Sequence, residues 1–381
     1  MSTPLPGPGA ARLGPPDRAE AQACLDAVLT AVDPGDGPTE LQQLLLEAAF
    51  ASMTGHDVTH TAGSAVEPAD LGAVLADRDE AFRTRILQMM ILGALVLRPL
   101  PPVVADRVGR YAEELSVDDG MLAVARRFAS GQLGLAAFDF QRNGYTADWA
   151  PDRASTLHAS TELQEAWQQS VADPALADQW AAFAHLPAGT LGRRMWEFYR
   201  ARGFVFPGLP GSAPPLLAQH DFVHVLGDYG TRVESELEVF AFIARANDDP
   251  KGFSLLAMVV SLFETGYLAT GAGLFEAFPG QLSQDGMAVR LADALRRGAL
   301  SHGLDGRPDV DFLAVDWFAL ADRPVDELRS AFGIVPKSAD AEAAGSVGPW
   351  EPGGISPYQW TTAREAAEAE GRVYDSFGAE P

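Results

Sequence analysis

Apolar residues in this chain recur at the spacing of a helix and almost nowhere at the spacing of a strand. "ELQQLLLEAAFASM" (40–53) and "EAFRTRILQMMILGALVL" (80–97) place Leu, Ile and Met at i, i+3, i+4 and i+7, which lines one face of a 3.6-residue period. The same spacing returns in "ELQEAWQQSVADPALADQWAAFAHL", "TLGRRMWEFYRARGF", "KGFSLLAMVVSLFETGYL" and "GMAVRLADALRRGAL". Alternating β-branched runs are scarce. The chain is therefore expected to be all-α, an N-terminal helical bundle followed by a larger all-helical domain. Its 381 residues, 47% apolar, suffice for two ordinary domains or one large one with a real core.

Composition divides the chain. Residues 1–16, "MSTPLPGPGAARLGPP", are rich in Pro and Gly and are expected to be disordered. Helical spacing runs from 17 to 147. "RPLPP" (98–102) ends one helix there, since proline lacks the amide donor, and Ser116 is read as the N-cap of the next. Residues 148–160 are polar and irregular, a boundary before a second domain at 160–336. The segment 337–381 is a Gly/Pro-rich tail. A short terminal helix is expected in "TTAREAAEAEGRVYDSF", with Trp350, Tyr358 and Trp360 pinning the tail onto its own domain or a second subunit.

Charge and cysteine usage narrow the function. Fifty-two acidic residues face 28 basic ones, a formal charge of −24. Phosphate backbones need clustered Lys and Arg, so nucleic acid is excluded as a partner. The sole cysteine, Cys24, rules out an internal disulfide and a thiolate zinc site, and its helical surroundings mark it as core. The N-terminus has no apolar core of signal-peptide type. No run of about 20 residues is free of charge, as a membrane span requires. The greasiest stretch, 252–275, is interrupted by Glu264 and by glycines. It reads as a buried helix before a glycine-rich turn, and it allows peripheral contact with a membrane or lipid-like ligand. A cytoplasmic location is expected.

The chemistry concentrates in "HDFVHVLGDYGTRVESE" (220–236). His220 and His224, four apart, stack on one helical face, where two neutral imidazoles suit a divalent transition metal. Asp221 can add an oxygen ligand or orient an imidazole from behind. Glu236 lies twelve residues past His224, which on one continuous helix is about 18 Å of rise. Gly227, Asp228, Tyr229 and Gly230 favour a turn. A helix through "PLLAQHDFVHVLG" and another returning through "RVESELEVFAFIARA" would bring Glu236 back to the histidines. Glu234 and Glu238 would then point away, towards solvent or basic partners. A histidine pair at this spacing also occurs as an ordinary packed pair. The adjacent acid and the acid beyond the turn bring the two readings level. Arg193, Arg194 and Arg232 could bind a carboxylate or phosphate by paired hydrogen bonds, or bridge Glu234 or Glu238.

His220, Asp221, His224 and Glu236 together resemble the His-Asp-x-x-His, eleven residues, Glu signature of the family of coenzyme Q (ubiquinone) biosynthesis protein four. "LPAGTLGRRMWEFYRARGF" (186–204) is similar to that family's segment upstream of the motif, and "DFLAVDWFALADRPVDELRSAFGI" (311–334) to its closing segment. The resemblance covers roughly 160–336. It implies an all-α domain holding one divalent metal, zinc (Zn2+), through those four side chains. It also implies a hydrophobic cavity for aromatic or prenylated molecules, and a homodimer. The implied chemistry is loss of CO₂ from a carboxylate-bearing ring carbon, coupled to hydroxylation, or a related lyase or tailoring step in quinone or natural-product biosynthesis. Residues 85–131 are similar in pattern to tellurite-resistance B-like helical domains. The alternative is a non-catalytic carrier or scaffold for a lipidic quinone precursor, with a structural metal. An HD-type phosphohydrolase needs a further upstream His and downstream Asp whose spacing is not visible here.

"GHDVTH" (55–60) repeats half of the signature, but the residue twelve past His60 is Gly72. A loop or helix end without metal is expected there. His158, His185 and His302 have no ligand-spaced neighbours.

Overall fold

The structure, a computed structural model, describes residues 13, 16–97, 101–117, 172–213, 215–246, 256 and 284–381. Among these the chain is all-α, with two isolated bridges and no strand. The helices start where the sequence supplies a cap. Asp17 accepts the Glu20 amide ahead of α1 (Arg18–Val32). Thr39 and Gln42 form a reciprocal capping box on α2 (Glu40–Thr54). Then come α3 (Pro68–Val74), α4 (Glu80–Leu95, capped by Asp79) and α5 (Pro102–Glu114). α1 packs against α2, α3, α4 and α5. Gln42 is wholly buried, and its amide donates to Val32 O at 2.9 Å and Gly93 O at 2.8 Å, tying α2 to the end of α1 and to α4.

The second run comprises α6 (Pro174–Ala182), α7 (Leu191–Arg202), α8 (Pro215–Gly227), α9 (Val233–Ala246), α10 (Met287–Leu300), α11 (Val325–Ala331), α12 (Ala339–Ala343) and α13 (Pro357–Ala369). The two segments that carry the family resemblance meet each other. The first amides of α7 donate outward, Leu191 N to Arg323 O at 2.9 Å and Gly192 N to Ala321 O at 2.8 Å. Helix-initial amides have no intrahelical partner, so the closing segment satisfies them. Trp317 of that segment stacks on Phe222 of α8 with ring centroids 5.4 Å apart.

α9 and α10 lie against each other, and α10 also lies on α2. Arg245 at the end of α9 is buried and donates twice to Ser52 O in the last turn of α2. Packing thus crosses the division at 148–160 that composition suggests, and one apolar core runs through both parts. α10 meets the main chain of α9 at Gly298, where a Cβ would sit 2.3 Å from Phe242 O and 3.1 Å from Ala246 N.

Several expectations change. Within 1–16, Leu13 is buried and donates to Met53 O at 3.0 Å, and Pro16 O lies 2.7 Å from His56 Nε2. These two residues are ordered by burial and hydrogen bonding; the rest of 1–16 is outside the described residues. Ser116 is no N-cap: its φ of 52° is left-handed, and it closes the end of α5 by donating to Glu113 O. The helix expected beyond it, the boundary at 148–160 and all of 252–275 except the buried Leu256 are outside the described residues. The terminal helix begins before Thr361, because Ser356 and Gln359 form a second capping box.

Adding one methyl group tests the α9–α10 contact. Gly298→Ala should cost about 1–3 kcal/mol by overpacking. Gly109→Ala, in the interior of α5 with nothing within 4 Å of the new Cβ, should gain about 0.5–1 kcal/mol. Urea unfolding of both variants reads the opposite signs.

Candidate metal centre

α8 ends where the turn residues lie. Tyr229 N donates back to His224 O at 2.9 Å, and Asp228 sits left-handed at φ 62°, the closure in which the residue past a helix end takes the αL conformation. Two arginines meet the carbonyls at this end. Arg329 donates to Val225 O and Leu226 O, both at 3.0 Å, and Arg297 donates to Gly227 O at 2.7 Å. Cations at a helix C-terminus also oppose the macrodipole. Asp228 stands 3.4 Å from Arg329 and 3.5 Å from Lys337. The chain then reverses into α9, and Glu236 returns to the two histidines.

His220, Asp221, His224 and Glu236 are all at most 1% exposed. His220 Nε2 lies 3.1 Å from Glu236 Oε2, His224 Nε2 lies 3.3 Å from Glu236 Oε1, and the two Nε2 atoms are 3.3 Å apart. His224 Nδ1 meets Gly230 O at 2.7 Å. A carbonyl only accepts, so Nδ1 carries the hydrogen, and Nε2 of the neutral ring is a bare lone pair. That lone pair faces Glu236 Oε1, which has no hydrogen-bond donor among the described residues. A proton on His220 Nε2 would satisfy Oε2 but not this second edge. Burial by itself raises the Glu236 carboxyl. Positive charge on the imidazole side, His224 foremost, outweighs that and holds it well below the usual carboxylate range. With a neutral His224 ring, that positive charge has to come from a cation beside the carboxylate. Donors about 2.0–2.1 Å from a tetrahedral zinc stand roughly 3.3 Å from one another, so the donor set fits a metal of that size.

Asp221 has a different environment. Its Oδ2 accepts the Tyr199 hydroxyl at 2.5 Å, and its Oδ1 is 3.6 Å from His220 Nδ1, on the other side of that ring from Nε2 and Glu236. Ligand atoms of His220, Asp221 and His224 nonetheless lie within 4.8 Å of one another, so this buried group could hold a metal ion. Aromatic rings wall the donors. Phe240 stacks on His220 at 5.3 Å, and Phe198 lies 5.7 Å from His224.

The other acids and bases find partners elsewhere. Glu238 is buried, with Oε2 at 2.6 Å from Arg290 Nη2, a basic partner as expected for an acid turned off the site. Arg193 and Arg194 bridge neither Glu234 nor Glu238. Both grip Glu197 one turn along α7, at 2.8 and 3.0 Å. Arg232 lends its carbonyl to the Glu236 amide, and its buried Nε has no hydrogen-bond partner among the described residues. In the repeat at 56–60, a loop as expected, His56 meets Pro16 O. His60 lies 3.7 Å from Asp26. Sequence reasoning overlooked Tyr199, Arg297 and Arg329. The places of Arg297 and Arg329 in the last turns of their helices were the only available signal; nothing in the sequence marked Tyr199.

No protein-family model matches the chain, and no curated protein matches it. Among solved structures, it is similar to a crystal structure from Nostoc punctiforme PCC 73102 of a protein provisionally named for ubiquinone biosynthesis. The identity is 17% and the TM-score 0.29, over 67% of this chain and 98% of that one.

Tyr199→Phe keeps the ring and removes the hydroxyl that Asp221 accepts. Leaving that buried carboxylate short of a donor should cost about 1–3 kcal/mol, read as a lower urea midpoint with unchanged helical circular dichroism.

Proposed function

We propose that this chain is a metal-dependent enzyme. It holds one divalent ion, zinc by donor type, through His220, His224 and Glu236, with Asp221 as fourth ligand or as the carboxylate behind His220. The observation that carries the proposal is the buried cluster in which two Nε2 atoms 3.3 Å apart each face one oxygen of the Glu236 carboxylate, His220 facing Oε2 at 3.1 Å and His224 facing Oε1 at 3.3 Å. The motif's resemblance to the family of coenzyme Q (ubiquinone) biosynthesis protein four supplies the substrate class: an aromatic or quinone-like molecule, prenylated, carrying a ring carboxylate. The reaction would be its decarboxylation or a related lyase step. A bound divalent ion would act as a Lewis acid toward a ring oxygen.

The chain's own residues would do the rest. Gly230 O holds His224 in the tautomer that presents Nε2. Tyr199 steadies Asp221, and this pair is the candidate for holding the proton that replaces CO₂ on the ring carbon. Phe198 and Phe240 keep water from the donors. A homodimer, peripheral membrane contact and an interaction role for residues 17–147 belong to the same proposal. Among the described residues no helix is long and apolar enough to cross a membrane.

The complete burial of the donors supports a second reading, a structural metal in a carrier for a lipidic precursor, because structural sites are closed. Elemental analysis should find one metal equivalent per chain. His224→Ala and Glu236→Ala should lose it and still unfold cooperatively. Wild-type protein should release labelled CO₂ from a prenylated aromatic acid labelled at the carboxyl, and both variants should release none. A metal-free wild type, or release unchanged in the variants, defeats the enzyme reading. Loss of the fold along with the metal and no CO₂ from wild type would instead support the carrier.

A further inference from the structure

The turn that orients His224 is held by residues 347–359. Gly230, whose carbonyl takes the His224 Nδ1 hydrogen, donates its own amide to Val347 O at 2.9 Å. The next amide, Thr231 N, donates to Gly354 O at 3.1 Å. The two backbones are so close that a Cβ on Gly230 would lie 2.8 Å from Gly354 Cα. The Thr231 hydroxyl donates to Gln359 Oε1 at 2.7 Å, and Gln359 Nε2 returns a bond to Thr231 O at 3.3 Å. Arg202, at the end of α7, closes the arrangement. Its Nε donates to Thr231 Oγ1 at 2.9 Å, and its Nη2 donates to Pro349 O and Gly354 O, each at 2.9 Å. Arg202, Thr231 and Gln359 are all at most 1% exposed.

We infer that residues 346–359 are a positioning strap for the centre, and that Thr231, Arg202 and Gln359 are its positioning residues. The inference rests on the metal reading proposed above. It adds that the segment beyond 336, outside the stretch that carries the family resemblance, sets the ligand geometry. The strap acts through one bond: it fixes the Gly230 carbonyl, and that carbonyl selects the Nδ1–H tautomer of His224. Groups that orient a metal-binding imidazole in this way typically change metal affinity 10–100-fold when removed.

The test uses the full chain. Thr231→Val keeps the side-chain shape and removes the hydroxyl bonds to Arg202, Gln359 and Gly354 O; Gln359→Ala removes the partner from the strap. Tyr374→Phe is the control. It breaks a tail-to-α7 bond, Tyr374 OH to Ala201 O at 2.8 Å, without touching the turn. Cobalt(II) titration, followed by its ligand-field absorption, should give a Kd 10–100-fold weaker for Thr231→Val and Gln359→Ala, and unchanged for Tyr374→Phe. In metal-free protein, ¹H–¹⁵N spectra of the His224 ring should show Nδ1–H in wild type and Tyr374→Phe, and a mixed tautomer in the other two. Wild-type affinity and tautomer in both strap variants, or an equal loss of affinity in the control, overturn the inference. If wild type takes up no cobalt, the metal reading fails. The tautomer spectra then judge the strap alone: a change in the two variants upholds it and no change overturns it.

Discussion

Two imidazole nitrogens and the two oxygens of one carboxylate are pressed together where water does not reach. Each is electron-rich, and at about 3.3 Å, in surroundings of low polarity, they repel unless positive charge lies among them. Much of the surrounding structure resists that repulsion. α8 and α9 are joined by a turn closed at Asp228 and touch each other beyond it. Arginines cover the carbonyls at the end of α8, and Gly298 lets α10 back directly onto the main chain of α9. Relaxing any of these would let Glu236 drift from the histidines, so the strain of the site and the tightness of its frame go together.

The frame is built largely with arginine. In a chain of net charge −24, Arg202, Arg245 and Arg297 are almost wholly buried. Each reaches backbone carbonyls far along the chain: Arg202 those of the tail, Arg245 that of Ser52, Arg297 those of Gly227 and Val335. A buried guanidinium costs several kcal/mol unless its hydrogens are used. Its flat five-donor fork can join two or three carbonyls at once, which a lysine ammonium does less rigidly. These residues act as cross-links between elements far apart along the chain.

That choice of partner explains what could be read in the sequence. The helices were legible from apolar spacing, and the reversal at 227–230 from its turn residues, because both are encoded locally. The return of Glu236 to His220 and His224 followed from those two readings. The cross-links were not legible. A backbone carbonyl has no residue type, so nothing at Gly227, Gly354 or Ser52 announces an arginine partner. Arg193 and Arg194 were the opposite case. Glu197, at i+4 and i+3 on the same helix, was the partner that helical spacing names, and the more distant Glu234 and Glu238 drew attention instead. The start of α13 was also within reach, since Ser356 followed three residues later by Gln359 is a capping-box pattern.

The ligands lie at 220–236 and the peptide groups that hold their turn at 347–354. More than a hundred residues of synthesis separate them. At about 5–20 residues per second, a nascent chain spends several seconds or more with both histidines and Glu236 made but the Gly230 and Thr231 amides unmet. A polypeptide released early, even one carrying every ligand and both neighbouring segments, would therefore present a floppy chelator in place of a set one. If the site takes the metal proposed above, the making of residues 347–354 sets when the cation can be captured in fixed geometry.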